Sequence, residues 1–237
     1  MKNIKIVLTG GPCGGKTSSI YNFANKLSNK YNILIVEETA RALLKLGYLD
    51  EYPINTIDFQ DILFKIQFIN EYYSEQNSDL LLCDRGLFDA LAYIDEKAFE
   101  GLLTKNKLDK NKLSTTYDKA LYFRTIAYEY PESFCLQRIY ETPTSAIQRD
   151  IQTLQIWKDK ILKTKYDNTI GLEKKQDIIF SELSKYLYSS ENNEHHNLFE
   201  YYSGQYIKTM QYDIGEIVER NKIPDCIKTR TLELIKW

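Results

Sequence analysis

Gly10-Gly11-Pro12-Cys13-Gly14-Gly15-Lys16-Thr17 fits the pattern G-x-x-x-x-G-K-[ST] at every fixed position. Its flanks give the match its meaning. Ahead of it, Ile4-Lys5-Ile6-Val7-Leu8-Thr9 is a short β-rich apolar run that reads as a buried strand. Behind it, apolar residues at 20, 23, 24 and 27 keep the spacing of a helix face. Strand, glycine loop and helix in that order are the context this pattern requires. The glycines let the backbone turn tightly and aim its N–H groups at an anion, and the helix N-terminus adds partial positive charge there. In such a loop Lys16 reaches the β- and γ-phosphates of a nucleotide and Thr17 offers its hydroxyl to Mg²⁺. Gly11, Pro12, Cys13, Gly14, Gly15, Lys16, Thr17 and Ser18 are the expected cradle for ATP, with GTP open.

A chain of 237 residues can bury a full core, as one large domain or as one domain with an appendage. A net charge of −2 with 27% charged residues points to neither a nucleic-acid binder nor a disordered chain. No apolar run approaches the roughly 20 residues a membrane span needs. The N-terminus enters a strand at once, leaving no room for a signal peptide. Cys13, Cys83, Cys135 and Cys226 lack metal-ligand spacing, and beside a nucleotide site they read as reduced thiols, so the expected location is cytoplasmic.

Strand-like and helix-like segments alternate along the chain. Residues 32–36 form a second strand candidate, followed by a helix over 38–46. Phe59, Ile62, Leu63, Ile66 and Ile69 share one face of a helix running from about 57 to 76. Leu80-Leu81-Leu82-Cys83 is a third strand, ending in Asp84-Arg85-Gly86, and Ala120-Leu121-Tyr122-Phe123 a fourth. A helical pattern spans about 145–162, a short fifth strand is expected at Lys165-Tyr166-Asp167, and Leu172, Ile179, Leu183 and Tyr186 mark one more helix. The pattern predicts an α/β fold: a doubly wound parallel sheet of about five strands covered on both faces, with ligands at the C-terminal strand ends. Residues 188–237 differ. A polar linker at 189–194 precedes a stripe of Leu198, Tyr202, Ile207, Met210, Ile214 and Ile217. The expected division is a nucleotide-binding domain over 1–187 and a helical appendage over 188–237, through which a protein partner stays open. The pair His195-His196 reads as surface.

A buried strand ending in a carboxylate is how proteins with this loop hold a metal opposite it, so Asp84 is the candidate Mg²⁺ ligand, directly or through water. An aspartate favouring a turn at a strand end is the alternative. Glu37-Glu38 ends the second strand in the same cleft, and one of the two could be general base for an acceptor hydroxyl. Both could instead favour the N-terminus of the following helix.

Residues 7–17 resemble the loop of the P-loop NTPase domain shared by two groups: the ribosylnicotinamide kinase domain of NadR-type proteins, and eukaryotic GTP- and phosphoinositide-binding proteins linked to photoreceptor channel translocation. Further pieces follow in family order. Glu38-Thr39-Ala40-Arg41 is similar to the family's E-a-a-R, and Cys83-Asp84-Arg85-Gly86 to its D-R-G. Glu141-Thr142 with Ala146, Asp150 and Trp157 resembles its lid-side helix, and Tyr166-Asp167-Asn168 its segment near the nucleotide base. The resemblance covers roughly 1–187 and implies a small kinase-like fold whose lid supplies arginines to the transferring phosphate. Arg124, Arg138 and Arg149 are the candidates, and Asn168 is the one near the base. Residues 105–165 carry twelve Lys/Arg against seven Asp/Glu, the bias of a phosphate-closing segment or of a solvated lysine-rich face. Arginine's planar fork suits phosphate oxygens.

Two functions fit these residues: a Mg²⁺-dependent phosphotransferase moving the γ-phosphate of ATP to a small hydroxyl-bearing, nucleoside-like acceptor, or an NTPase or nucleotide switch controlling a protein partner. Asn106-Lys107-Leu108-Asp109 spells the guanine-reading N-K-x-D, but it precedes a strand rather than following one and is read as coincidence. The acceptor pocket is expected within about 39–78. There Phe64, Phe68, Tyr72 and Tyr73 could stack on a planar base or fill the core, with core favoured for the two phenylalanines.

Overall fold

The computed structural model describes residues 3–45, 56–137, 141–189, Lys208 and Met210. Four parallel strands, β1 (Ile4–Thr9), β2 (Ile33–Val36), β3 (Leu80–Asp84) and β4 (Lys119–Tyr122), lie in the order β2-β3-β1-β4. The crossovers are α1 (Lys16–Leu27), then α2 (Thr39–Lys45) with α3 (Ile57–Gln76), then α4 (Glu96–Lys105) with α5 (Lys110–Thr115). Beyond the sheet run α6 (Pro131–Gln137), α7 (Pro143–Ile156) and α8 (Leu172–Tyr188).

The strand period of two sorts every side chain to a face. Ile4, Ile6, Leu8, Leu80 and Leu82 bury against Ile20, Phe23 and Leu27 of α1 and Ile179 and Leu183 of α8. Val7, Leu81 and Cys83 bury on the opposite face, among Phe59, Phe64 and Phe68 of α3. The same alternation puts Lys5, 0% exposed, on the α3 side, where its ammonium meets Glu71 at 3.2 Å and also pairs with Glu75. Burial would lower the Lys5 pKa, but Glu75 and Glu71 outweigh it and the net direction is up. Phe64 and Phe68 are core, and Tyr72 is buried beside them.

The sheet has four strands where about five were expected. Near Lys165-Tyr166-Asp167 the contact with β4 is a single bridge at Ile161, opposite Ala120. Tyr166 continues it through its side chain, donating its hydroxyl to the Tyr122 carbonyl at 2.6 Å. Helix α7 stops at Ile156 rather than near 162, because Trp157 turns inward to pack edge-on against Phe88 and Tyr117. Asn106–Asp109 proves to be the joint between α4 and α5. Asp109 caps α5 by accepting from the Lys112 N–H, and Asn106 donates to Asp61, so neither is free to read a base.

Most of 188–237 lies outside the described residues, including His195, His196, Cys226 and the rest of the apolar stripe. Met210 is helical and 3% exposed, and it joins the apolar cluster on the α3 face.

Removing the buried cation tests this packing. Lys5→Ala leaves two carboxylates in the core and should lower the unfolding free energy by about 3–5 kcal/mol. Lys185→Ala, at the exposed pair with Glu182, should be near neutral. Urea unfolding of both variants measures the difference, and equal shifts would refute a structural role for the buried pair.

Candidate active site

The glycine loop leaves β1 at its C-terminal end and feeds α1. Gly10 sits at φ 119°, and a Cβ there would stand 2.1 Å from the Phe123 carbonyl oxygen, so no side chain fits. Gly15, at φ 91°, needs the left-handed region in which only glycine is unstrained. Around these points the loop's carbonyls are pulled outward. Gly10 O accepts from Lys16 Nζ and Arg85 Nη1, both at 3.2 Å, and Gly11 O from Lys16 Nζ at 2.6 Å. Pro12 O accepts from the Thr125 hydroxyl at 2.6 Å, Gly14 O from Lys175 Nζ at 2.8 Å, and Gly15 O from Ser19. Asp150, fully buried on α7, accepts from the Gly11 N–H at 2.5 Å and from the Tyr122 hydroxyl. Among the described residues, nothing takes the N–H groups of Gly14, Gly15, Lys16 and Thr17. Four unpaired donors at a helix N-terminus make an anion site.

These groups line a cavity of about 650 Å³. Cys13, Gly14, Gly15, Lys16, Thr17 and Ser18 form one wall. Glu38, Arg41 and Arg85 form one end, and Asn168, Leu172 and Lys175 face it. Gly11 and Pro12 serve instead as the anchored flank of the loop. Burial, with repulsion from Arg85, lowers the Lys16 ammonium to about 8 against the partial support of Asp84 and Glu38. Lys175 is likewise lowered to about 8, by burial.

Asp84 points to the α1 side because Leu80 and Leu82 do. Its Oδ2 accepts from the Thr17 hydroxyl at 2.6 Å, while Oδ1 is buried with no hydrogen-bond partner. Burial raises its pKa, and Glu38 adds to the rise. A buried, half-satisfied carboxylate beside a hydroxyl fits a hard divalent cation, for which both oxygens are suitable donors.

Glu37 and Glu38 diverge as neighbours on an extended segment must. Glu37 accepts from Tyr21 on the α1 side, while Glu38 turns to the cavity. Glu38 Oε1 accepts from Arg85 Nε at 3.1 Å and Oε2 from Arg41 Nη2 at 2.9 Å. Burial would raise the Glu38 pKa, but Arg85, with Lys16 and Arg41, brings it down to about 2.

The remaining arginine candidates stand elsewhere. Arg124 pairs with Glu129 at 2.9 Å and lies 3.7 Å over the Tyr128 ring. Arg149 pairs with Glu141 at 2.7 Å. Neither lines the cavity. Arg138 lies outside the described residues. Asn168 does line the cavity, its Oδ1 accepting from Lys175 and its amide donating to Thr125 O and Glu129.

Sequence reading assigned no role to Arg41, Arg85, Asp150 or Lys175. For Lys175 a signal existed, since it falls one turn before Ile179 on the buried face of α8. Asp150 and Arg85 act through contacts between residues 139 and 75 positions apart, which spacing does not reveal.

A phosphate loop between a central parallel strand and its helix, with a carboxylate at the end of the neighbouring strand, defines the P-loop NTPase fold. Residues 5–159 match the family model described as an AAA domain, and the chain belongs to that family. No curated protein matches it in sequence. Among solved structures it is similar to a deoxyadenosine kinase from M. mycoides, described with the products dCMP and dCDP bound (TM-score 0.56, 13% identity, 77% of this chain and 100% of that one). It is also similar to thymidylate kinase from Ehrlichia chaffeensis (TM-score 0.52, 17% identity, 79% and 100%). A NadR protein in complex with NR matches at TM-score 0.52 and 16% identity, over 83% of this chain and 54% of that one. The fold is kinase-like. Among the described residues no helix is long and apolar enough to cross a membrane, and no cluster of three or more His, Cys, Asp or Glu could hold a metal.

The lowered Lys16 value has two consequences of opposite sign. Its folded value, about 8, lies below the ordinary 10.5, so between these the unfolded chain binds the extra proton and this group adds stability as pH rises. Anion binding needs the ammonium, so nucleoside triphosphate affinity should fall as pH passes through about 8. Calorimetric titration with ATP–Mg²⁺ between pH 7 and 9.5 measures this, and a flat affinity would exclude Lys16 as the titrating cation.

Proposed function

We propose that the protein is a Mg²⁺-dependent phosphotransferase that moves the γ-phosphate of ATP to the hydroxyl of a small, nucleoside-like acceptor. The observation that carries this is a shared wall. A second, smaller cavity, lined by Thr39, Gln60, Leu63, Gln67, Asp89 and Tyr93, meets the phosphate cavity at Glu38 and Arg85. A donor phosphate on one side and a hydroxyl on the other would face each other across that pair.

In this reading the loop N–H groups and Lys16 hold the β- and γ-phosphates, and Arg41 and Arg85 stabilise charge on the transferring oxygens. Thr17 and Asp84 would hold Mg²⁺, which when bound neutralises charge developing on the phosphates. Glu38 accepts the acceptor's hydroxyl proton as its oxygen bonds the γ-phosphorus and the bond to the β-phosphate oxygen breaks, releasing ADP. A carboxylate held near 2 is a weak base. A loose phosphoryl-transfer transition state asks little of one, so orienting the hydroxyl is the larger part of its task. Cytoplasmic residence and the division at about residue 187 belong to the same proposal.

One observation favours hydrolysis instead. The smaller cavity encloses about 30 Å³, the space of about one water rather than of a nucleoside. A water held by Glu38 would make the protein an NTPase or nucleotide switch.

Turnover assays of wild type, Lys16→Ala, Asp84→Asn and Glu38→Gln, with and without a panel of nucleosides, decide between these. A kinase consumes ATP quickly only with its acceptor. Glu38→Gln should then lose roughly 10²–10⁴ in rate with ATP binding nearly unchanged. Lys16→Ala should lose triphosphate affinity, and Asp84→Asn the response to Mg²⁺. Acceptor-independent hydrolysis across the whole panel would replace the kinase reading with the NTPase one.

A further inference from the structure

Glu38 and Arg85 are reached from two different strands. Val36 of β2 pairs with Cys83 of β3, so two residues past each strand's partner position the chain arrives at Glu38 and Arg85. The ladder ends on the β3 side at the Arg85 N–H, which donates to Leu8 O of β1 at 3.0 Å, and there Arg85 adopts φ 81°, a left-handed conformation unfavourable for a side chain of that size. Its carbonyl lies past that last ladder bond and is held from outside the sheet.

Gln67 supplies that constraint. It is buried on α3 between the two extensions. Its Oε1 accepts from the Thr39 hydroxyl at 2.5 Å, next to Glu38. Its Nε2 donates to the Arg85 carbonyl at 3.2 Å and to Glu71 Oε1 at 2.8 Å. Glu71 is a fixed point. Its carboxylate accepts from Lys5 and from the Tyr117 hydroxyl, which in turn accepts from the Leu87 N–H at 2.9 Å. A single buried carboxylate is thus tied to β1, to α3 and, through Gln67 and Tyr117, to both sides of the turn after β3. Both amide hydrogens of Gln67 are committed, so although it lines the smaller cavity it has no N–H left to offer a ligand.

We infer that Gln67 is a positioning residue: it ties the Thr39 hydroxyl to the Arg85 carbonyl so that Glu38 and Arg85 meet, and it does so from the buried Lys5–Glu71 anchor. The inference builds on the proposed function for its consequence in turnover but not for its structural claim. Its experiment therefore needs a readout that no acceptor enters.

That readout is the Nε–H resonance of Arg85 in a ¹⁵N-correlated spectrum, identified by its loss in Arg85→Lys. In the wild type this proton is held by Glu38 and should exchange slowly with solvent. In Gln67→Leu, which keeps the volume and removes all three hydrogen bonds, its exchange should accelerate by at least about tenfold, the factor worth one lost net hydrogen bond. Thr39→Val, which cuts the link to the β2 extension alone, should shift the same resonance in the same direction by less. It decides the matter if Gln67→Leu fails to fold. An unchanged Arg85 proton in a folded Gln67→Leu, or in Thr39→Val where that variant stands alone, overturns the inference, whatever happens to melting temperature. Where wild type shows turnover, Gln67→Leu should lower it by about 10² at saturating ATP, the cost of about 1 Å of misplacement. A wild type with no phosphotransfer to any acceptor sinks the proposed function and leaves the resonance test standing.

Discussion

The N–H groups of Gly14, Gly15, Lys16 and Thr17 converge on one small volume, and convergent donors repel unless their carbonyls are held away. Distant parts of the chain do the holding: Thr125 after β4, Arg85 after β3, Lys175 on α8, and Asp150 on α7 at the Gly11 amide. The cradle is therefore a product of the whole domain. Two of its ties, those from Arg85 and Lys175, are themselves cations, so the shape that opens the donors also brings positive charge to the cavity.

That charge explains the electrostatics of the site. Lys16, Arg41, Arg85 and Lys175 line the cavity against Glu38, with Asp84 buried just behind Thr17. Lys16 and Lys175 are pushed toward neutrality, while Asp84, with one oxygen unsatisfied, is pushed toward protonation. The guests of the proposed reaction would relieve each departure. A polyphosphate would restore the ammoniums, and a divalent cation the carboxylate. Perturbed ionisable groups gathered in one cleft are the ordinary signature of a functional site.

Below the cleft the sheet face carries a buried charge network. Lys5 lies in the middle of a strand that otherwise reads as uniformly apolar, and Glu71 and Glu75 lie on the buried side of α3. Burying such groups is costly unless they are mutually satisfied, and replacing them with apolar residues would often stabilise a fold. Here the network is fully threaded into the turns that carry Glu38 and Arg85. On the inference drawn above, it serves to place those turns.

The loop, its strand and its helix could be read from the sequence because they are contiguous, and the chemistry of glycine and the helix terminus acts within about ten residues. The strand alternation that sends Asp84 toward Thr17, and the divergence of Glu37 from Glu38, follow from a period of two and were equally accessible. The limits of α3 matched for the same reason, a long, strongly periodic face. The fifth strand and the end of α7 were misjudged because Tyr166 and Trp157 are placed by long-range side-chain packing against Tyr122 and Asp89, which overrides local pattern. Contiguous chemistry along the chain places the phosphate loop and names the carboxylates that accompany it. Folding alone makes Arg85, Arg41 and Lys175 complete the cavity, leaves Arg124 and Arg149 outside it, and sets Asp150 and Gln67 to hold the parts in place. Those roles are set by hydrogen bonds between residues far apart in the chain, and their geometry exists only once the sheet has brought the strand ends together.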